Sequence, residues 1–245
     1  MKINIPDKDS FVSKFLAPIN KVAEDFVVKR DKANPNLITC LVNSPCKTVV
    51  LYATYLCSEE MEPFHLNINR GSRLINAINS VPDNKMTIEV IDNHMRYTSK
   101  TVRFKHHFLD DDVIDIPKID IEKVKKCKFD VAFSIPQTLL VNIVKAGGFA
   151  TDTKKIYFYS EGTDVYAELT DRLKDNTDSY GRIVSSNIRG DLSEAQSVSF
   201  ELLRWVSTCK FDSVNALINT QNSVFLFDVS DEKTRLNYIA SGYTG

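Results

Sequence analysis

One short pattern occurs four times along the chain: a strand, a short amphipathic helix, then a run of further strands. A repeated unit fixes architecture before any single residue does, because each copy must bury the same faces. In the first copy residues 2–5 alternate as a strand, and Asp7 or Asp9 is placed to cap a helix. Phe11, Val12, Phe15 and Leu16 form its apolar face, and Pro18 is expected to stop it near Ala17. Strands follow at about residues 25–29, 37–42 and 48–56, with Asn34-Pro35-Asn36 and Asn43-Ser44-Pro45 as turns. The second copy runs from a strand at Phe64 through a helix over residues 70–80 to strands over 86–92 and 95–105.

The third copy places a strand at 129–135 and a helix over 136–146 with proline at its start, where proline is tolerated. Gly147-Gly148 is expected to end that helix. Strands at 155–160 and 164–170 meet at a Glu161-Gly162-Thr163 hairpin, and a polar loop follows from Asp171. The fourth copy is a strand at 198–202, a helix over 203–210 and three closing strands, with Thr220-Gln221-Asn222 as a turn. Two copies per half imply an α+β fold of two structurally similar domains, each with two short helices packed on antiparallel sheets.

Between the halves lies HHFLDDDVIDIPKIDIEKV, residues 106–124. It is acidic (Asp110, Asp111, Asp112, Asp115, Asp120, Glu122) and interrupted by Pro117, and its apolar residues alternate. That reads as an ordered, extended linker lying on protein along one edge.

The chemistry is sparse. There is no G-x-S-x-G turn, no GxGxxG and no GxxxxGK[ST], and glycine is scarce at 8 residues. His106, His107, Asp110, Asp111 and Asp112 could in composition hold a transition metal, but neighbouring residues of a strand point to opposite sides, which scatters the ligands. His65 and His94 stand alone. No metal, cofactor or catalytic residue is expected. Five cysteines (Cys40, Cys46, Cys57, Cys127, Cys209), odd in number and without a CxxC pair, suit reduced thiols in the cytoplasm. No run has membrane-spanning length, so no membrane partner is expected.

The helices carry a different signal. The 31 basic and 32 acidic residues nearly cancel, yet the outward faces of the helices hold Lys14 in the first, Arg70 and Arg73 in the second, Lys145 in the third, and Arg204 and Lys210 at the fourth. The second and third helices contain no acid; Asn76, Asn79, Ser80 and Asn142 complete their faces. Small polar groups with scattered cations suit contact with a phosphate backbone without base reading.

FVSKFLAPINK (11–21), KIYFYSEGTDVYAELTDRLKDNTDSY (155–180), FELLRWVSTCK (200–210) and the tail RLNYIAS (235–241) resemble DNA polymerase sliding clamps. The likeness is to clamps of the proliferating-cell-nuclear-antigen type, particularly those of T-even-like bacteriophages. It implies a DNA-clamp fold with domain 1 at residues 1–108, an interdomain connector at 109–124 and domain 2 at 125–245. It further implies a non-enzymatic homotrimer, closed head to tail, that encircles duplex DNA without reading sequence. Such a ring tethers the replicative polymerase, is opened by a clamp loader and works in the cytoplasm (the host's, if viral) on replicating DNA. By that likeness Lys14, Lys21, Arg70, Arg73, Lys145, Arg204 and Lys210 face DNA. Partner peptides would dock against Val42, Val113, Ile114, Ile116, Pro117, Tyr238, Ile239 and Ala240. Family members often carry an aromatic residue where Ile239 stands; here the aromatic is Tyr238, one step earlier. Two other readings are an open monomeric or dimeric processivity factor of the same fold, and a metal-dependent hydrolase using His106, His107 and the aspartates.

Overall fold

The computed structural model describes residues 1–58, 60, 62–110, 113–114, 116–149, 153–174 and 177–243. Asp111, Asp112 and Asp115 of the acidic linker therefore lie outside the described residues. The chain divides into two compact units: Met1–Lys118 with Asp231–Leu236, and Ile119–Ser230 with Asn237–Gly245.

The first unit opens with β1 (Lys2–Ile5), then α1 (Lys8–Ser10), six residues of wider π-helix (Phe11–Leu16) and α2 (Ala17–Val22). β2 (Phe26–Arg30), β3 (Leu37–Asn43), β4 (Val49–Leu56) and β5 (Phe64–Ile68) follow; then come α3 (Gly71–Asn79), β6 (Met86–Ile91), β7 (His94–Thr98) and β8 (Arg103–His107). The Asp7 carboxylate caps α1 by accepting from the Ser10 N–H. Contrary to expectation, Pro18 does not stop the helix, which continues to Val22. The Ala17 N–H reaches back five residues to the Val12 carbonyl, and this π turn carries the chain across the residue that has no N–H to give. The span expected as one strand over 95–105 is two, because Ser99 folds a tight turn: its hydroxyl accepts from the Thr101 and Val102 N–H groups.

The second unit holds α4 (Ile121–Lys125), β9 (Val131–Pro136), α5 (Gln137–Ala146), β10 (Lys155–Glu161), β11 (Asp164–Leu169), β12 (Tyr180–Ser185), β13 (Ile188–Arg189), β14 (Gln196–Ser199), α6 (Phe200–Ser207), β15 (Ser213–Asn219), β16 (Val224–Ser230) and, from Asn237 onward, β17 (Thr234–Ser241). Here too the expectations need correction. The segment expected as extended linker ends in α4, which Asp120 caps by accepting from the N–H groups of Glu122 and Lys123. The polar loop after Asp171 gives way to β12 and β13, and α6 begins at Phe200, three residues before the expected start.

The strands pair in an interleaved way. In every copy the first strand leaves its own meander and pairs antiparallel with its sister's. β1 joins β6, and β5 joins β2. In the second unit β9 joins β15, and β14 joins β10. Each unit thus holds one four-stranded antiparallel sheet, β1-β6-β7-β8 or β12-β11-β10-β14, beside a second set of antiparallel strands, and neither copy of the pattern is complete without its sister. Period-2 alternation buries one face of each sheet. Phe11 and Phe15 stack at 5.4 Å over Tyr55 in the first unit. Phe158 meets Phe133, Phe225 and Phe227 at 5.7–6.3 Å in the second. Each fully buried phenylalanine contributes about 1.5–3 kcal/mol.

Candidate nucleic-acid interface

Each unit lays two helical segments side by side and antiparallel, α1–α2 against α3 in the first and α5 against α6 in the second, bonded at one end and closely packed at the other. In the first unit the start of α1 is held at the end of α3: the Lys8 N–H donates to the Asn84 carbonyl, and its ammonium, though buried, donates to the Val81 carbonyl at 2.5 Å. At the opposite end Gly71 opens α3 so close to α2 that an added Cβ would stand 2.3 Å from the Phe26 ring and 2.6 Å from the Asn20 side chain.

The second unit repeats the device with other residues. The Gln137 amide at the start of α5 donates to the carbonyls of Ser207 and Cys209 at the end of α6. At the other end Gly147 stands against Phe200, whose ring would lie 2.4 Å from an added Cβ. Gly147 ends α5 as expected, but its φ of −58 is helical, so close approach and not a left-handed turn explains the glycine. Gln137→Ala removes both donors and should lower the unfolding free energy by about 1–2 kcal/mol, with a matching shift of the urea midpoint.

With their apolar sides on the sheets, the helices expose what is left. In the first unit Lys21, Arg70 and Arg73 are exposed, with Ser72, Asn76, Asn79 and Ser80 around them. In the second Lys145, Arg204 and Lys210 are exposed, beside Thr138 and Asn142. Lys21 stands on α2 because the helix passes Pro18. Arg70 sits in a left-handed conformation (φ 49) ahead of α3, with its N–H on the Asp25 carboxylate. Two of the seven cations are neutralised locally. Lys14 lies 2.6 Å from Asp231, and Arg204 pairs with Glu201 at 3.1 Å while covering the Phe200 ring. Burial opposes charge on Asp231, but hydrogen bonds from Lys14 and from the Thr234 and Lys233 N–H groups prevail and hold its carboxyl below the usual range. Arg70, Arg73, Lys145 and Lys210 form no ion pair among the described residues.

No family model matches the sequence, and no curated protein does. Solved structures do. The proliferating cellular nuclear antigen of Entamoeba histolytica superposes with a TM-score of 0.80 at 12% identity, over 99% of this chain and 98% of that one. The PCNA2–PCNA3 complex of Sulfolobus tokodaii gives 0.77 at 11% identity, over 99% of both. The PCNA of A. fulgidus bound to the C-terminal region of FEN-1 gives 0.76 at 11% identity, over 100% and 98%. This chain has the sliding-clamp fold.

The peptide-docking set expected from sequence separates by exposure. Val113 and Ile116 are exposed, at 62% and 40%. Ile114, Pro117 and Ile239 are partly covered, and Val42 and Ala240 are buried. Tyr238 is core: it is 0% exposed and its hydroxyl meets the Cys209 sulfur at 3.3 Å. Burial raises the Tyr238 phenol well above its usual pKa, with Cys209 adding to the effect. Sequence reasoning missed Gly71, Gln137 and Lys8, which space the helices, and read Gly147 only as a helix end. Among the described residues no three of His, Cys, Asp and Glu gather as a metal site. No helix among them is long and apolar enough to cross a membrane.

Proposed function

We propose that this chain is a sliding clamp, a non-enzymatic processivity factor that encircles duplex DNA and tethers the replicative polymerase. Residues 1–108 and 125–245 act as the two clamp domains and 109–124 as their connector. Three chains join head to tail, and a clamp loader opens the ring. One observation carries the reading: within a clamp fold spanning the whole chain, each unit presents a pair of helices whose exposed sides bear small polar groups and cations with no ion pair among the described residues. Closure prevents escape by simple dissociation, so the lining needs only weak, salt-screened attraction to phosphates. Sparse cations suit sliding better than a dense patch would. The A. fulgidus clamp binds a C-terminal peptide of FEN-1; by analogy, peptides of partner proteins engage the exposed apolar side chains Val113 and Ile116 here.

The test is topological. Loaded protein should stay on a nicked circular duplex through a high-salt wash and leave when the circle is linearised. Retention on both forms, or on neither, contradicts the reading.

A further inference from the structure

His94 opens β7 and His107 closes β8, and the register of these consecutive strands sets them directly opposite one another. Their rings stand 5.5 Å apart, centroid to centroid, on the outer face of the sheet β1-β6-β7-β8. We propose that this pair is a binding site for a divalent transition metal of the copper, nickel or zinc class, chelated by the two imidazoles across the strands.

Three observations carry it. An imidazole nitrogen binds such an ion at about 2.0–2.1 Å, so two rings sharing one ion stand roughly 5 Å apart at their centroids. Second, Nδ1 of His94 is 3.2 Å from the Asn93 side-chain oxygen. That oxygen only accepts, so the contact suits the tautomer with Nδ1 protonated, which leaves the Nε2 lone pair for a metal. An outer partner fixing the tautomer of a ligating histidine is a regular feature of metal sites. Third, both histidines sit on paired strands, which hold the rings together before any ion arrives.

The surroundings set the strength. Arg96 on β7 and Lys105 on β8 occupy the next outward row, opposite each other, with Glu89 of β6 on Arg96; Asp92 lies in the turn before His94. Loss of hydration, then nearby positive charge, lowers the pKa of the His94 imidazole. Lys105 and Arg96 repel an arriving ion, so copper, which gives the most stable imidazole complexes of the series, should bind tightest. Water or a partner's side chain fills the remaining positions. The site is independent of the clamp reading and needs neither DNA nor assembly.

Calorimetric titration with CuCl2 and NiCl2 near pH 7.5 tests it, on the full chain carrying Cys46→Ser and Cys127→Ser so that the exposed thiols do not compete. One ion should bind per chain. His94→Ala and His107→Ala should each weaken binding by at least about tenfold, and Asn93→Ala by about tenfold. His106→Ala, on the opposite face of β8, and His65→Ala should leave it unchanged. In the chain with every histidine intact, the imidazole resonances of His94 and His107 should be the first that Ni2+ broadens. Unchanged affinity in the double His94→Ala, His107→Ala variant, equal loss with His106→Ala, or no binding by the parent overturns the assignment.

Discussion

Alanine at Arg70, Arg73, Lys145 and Lys210 together should weaken attachment to duplex DNA by at least about tenfold at low salt and flatten its salt dependence. Each phosphate left without its cation lowers the slope of log affinity against log salt by about 0.9. These four are chosen because they are exposed and form no ion pair among the described residues. Lys14 and Arg204 already face Asp231 and Glu201, so replacing that pair of cations should cost less. The four are exposed, so the stability of the fourfold variant should stay within about 0.5 kcal/mol of the parent. An unchanged salt slope in the fourfold variant, with the fold intact by circular dichroism, would remove the helices from the DNA-facing role.

Gly71→Ala should cost about 1–3 kcal/mol, from one added methyl. The Cβ would fall inside the contact distance of the Phe26 ring and of Asn20. Phe26 is 0% exposed, so its ring has no solvent to move into. α3 must therefore shift away from α2, and the exposed cations on the two helices shift with it. Urea unfolding should report the loss, and DNA attachment should weaken as well. Full stability in Gly71→Ala would mean that the two helices are not spaced by this contact.

The plan of the chain could be read from its sequence because it rests on periodicity. Phe11, Phe15 and Leu16, or Leu140 and Ile143, declare buried helix faces by spacing alone, and the alternating runs declare strands. What stayed hidden depends on partners. Alternation shows which side of β1 is buried but not that it joins β6, and nothing local placed His94 beside His107. Pro18 reads as a stop because the π turn that absorbs it has no sequence mark. The cations were visible as residue types on helix faces, but the neutralisation of Lys14 needed Asp231, 217 residues away. Tyr238 read as pocket lining from a family likeness, whereas its strand register aims the phenol at Cys209.

Mass in solution, by light scattering over a dilution series, bears most directly on the claim that this chain closes into a ring. The account predicts three times the 27.8 kDa chain, about 83 kDa, at high concentration. A single-chain mass at every concentration would contradict it.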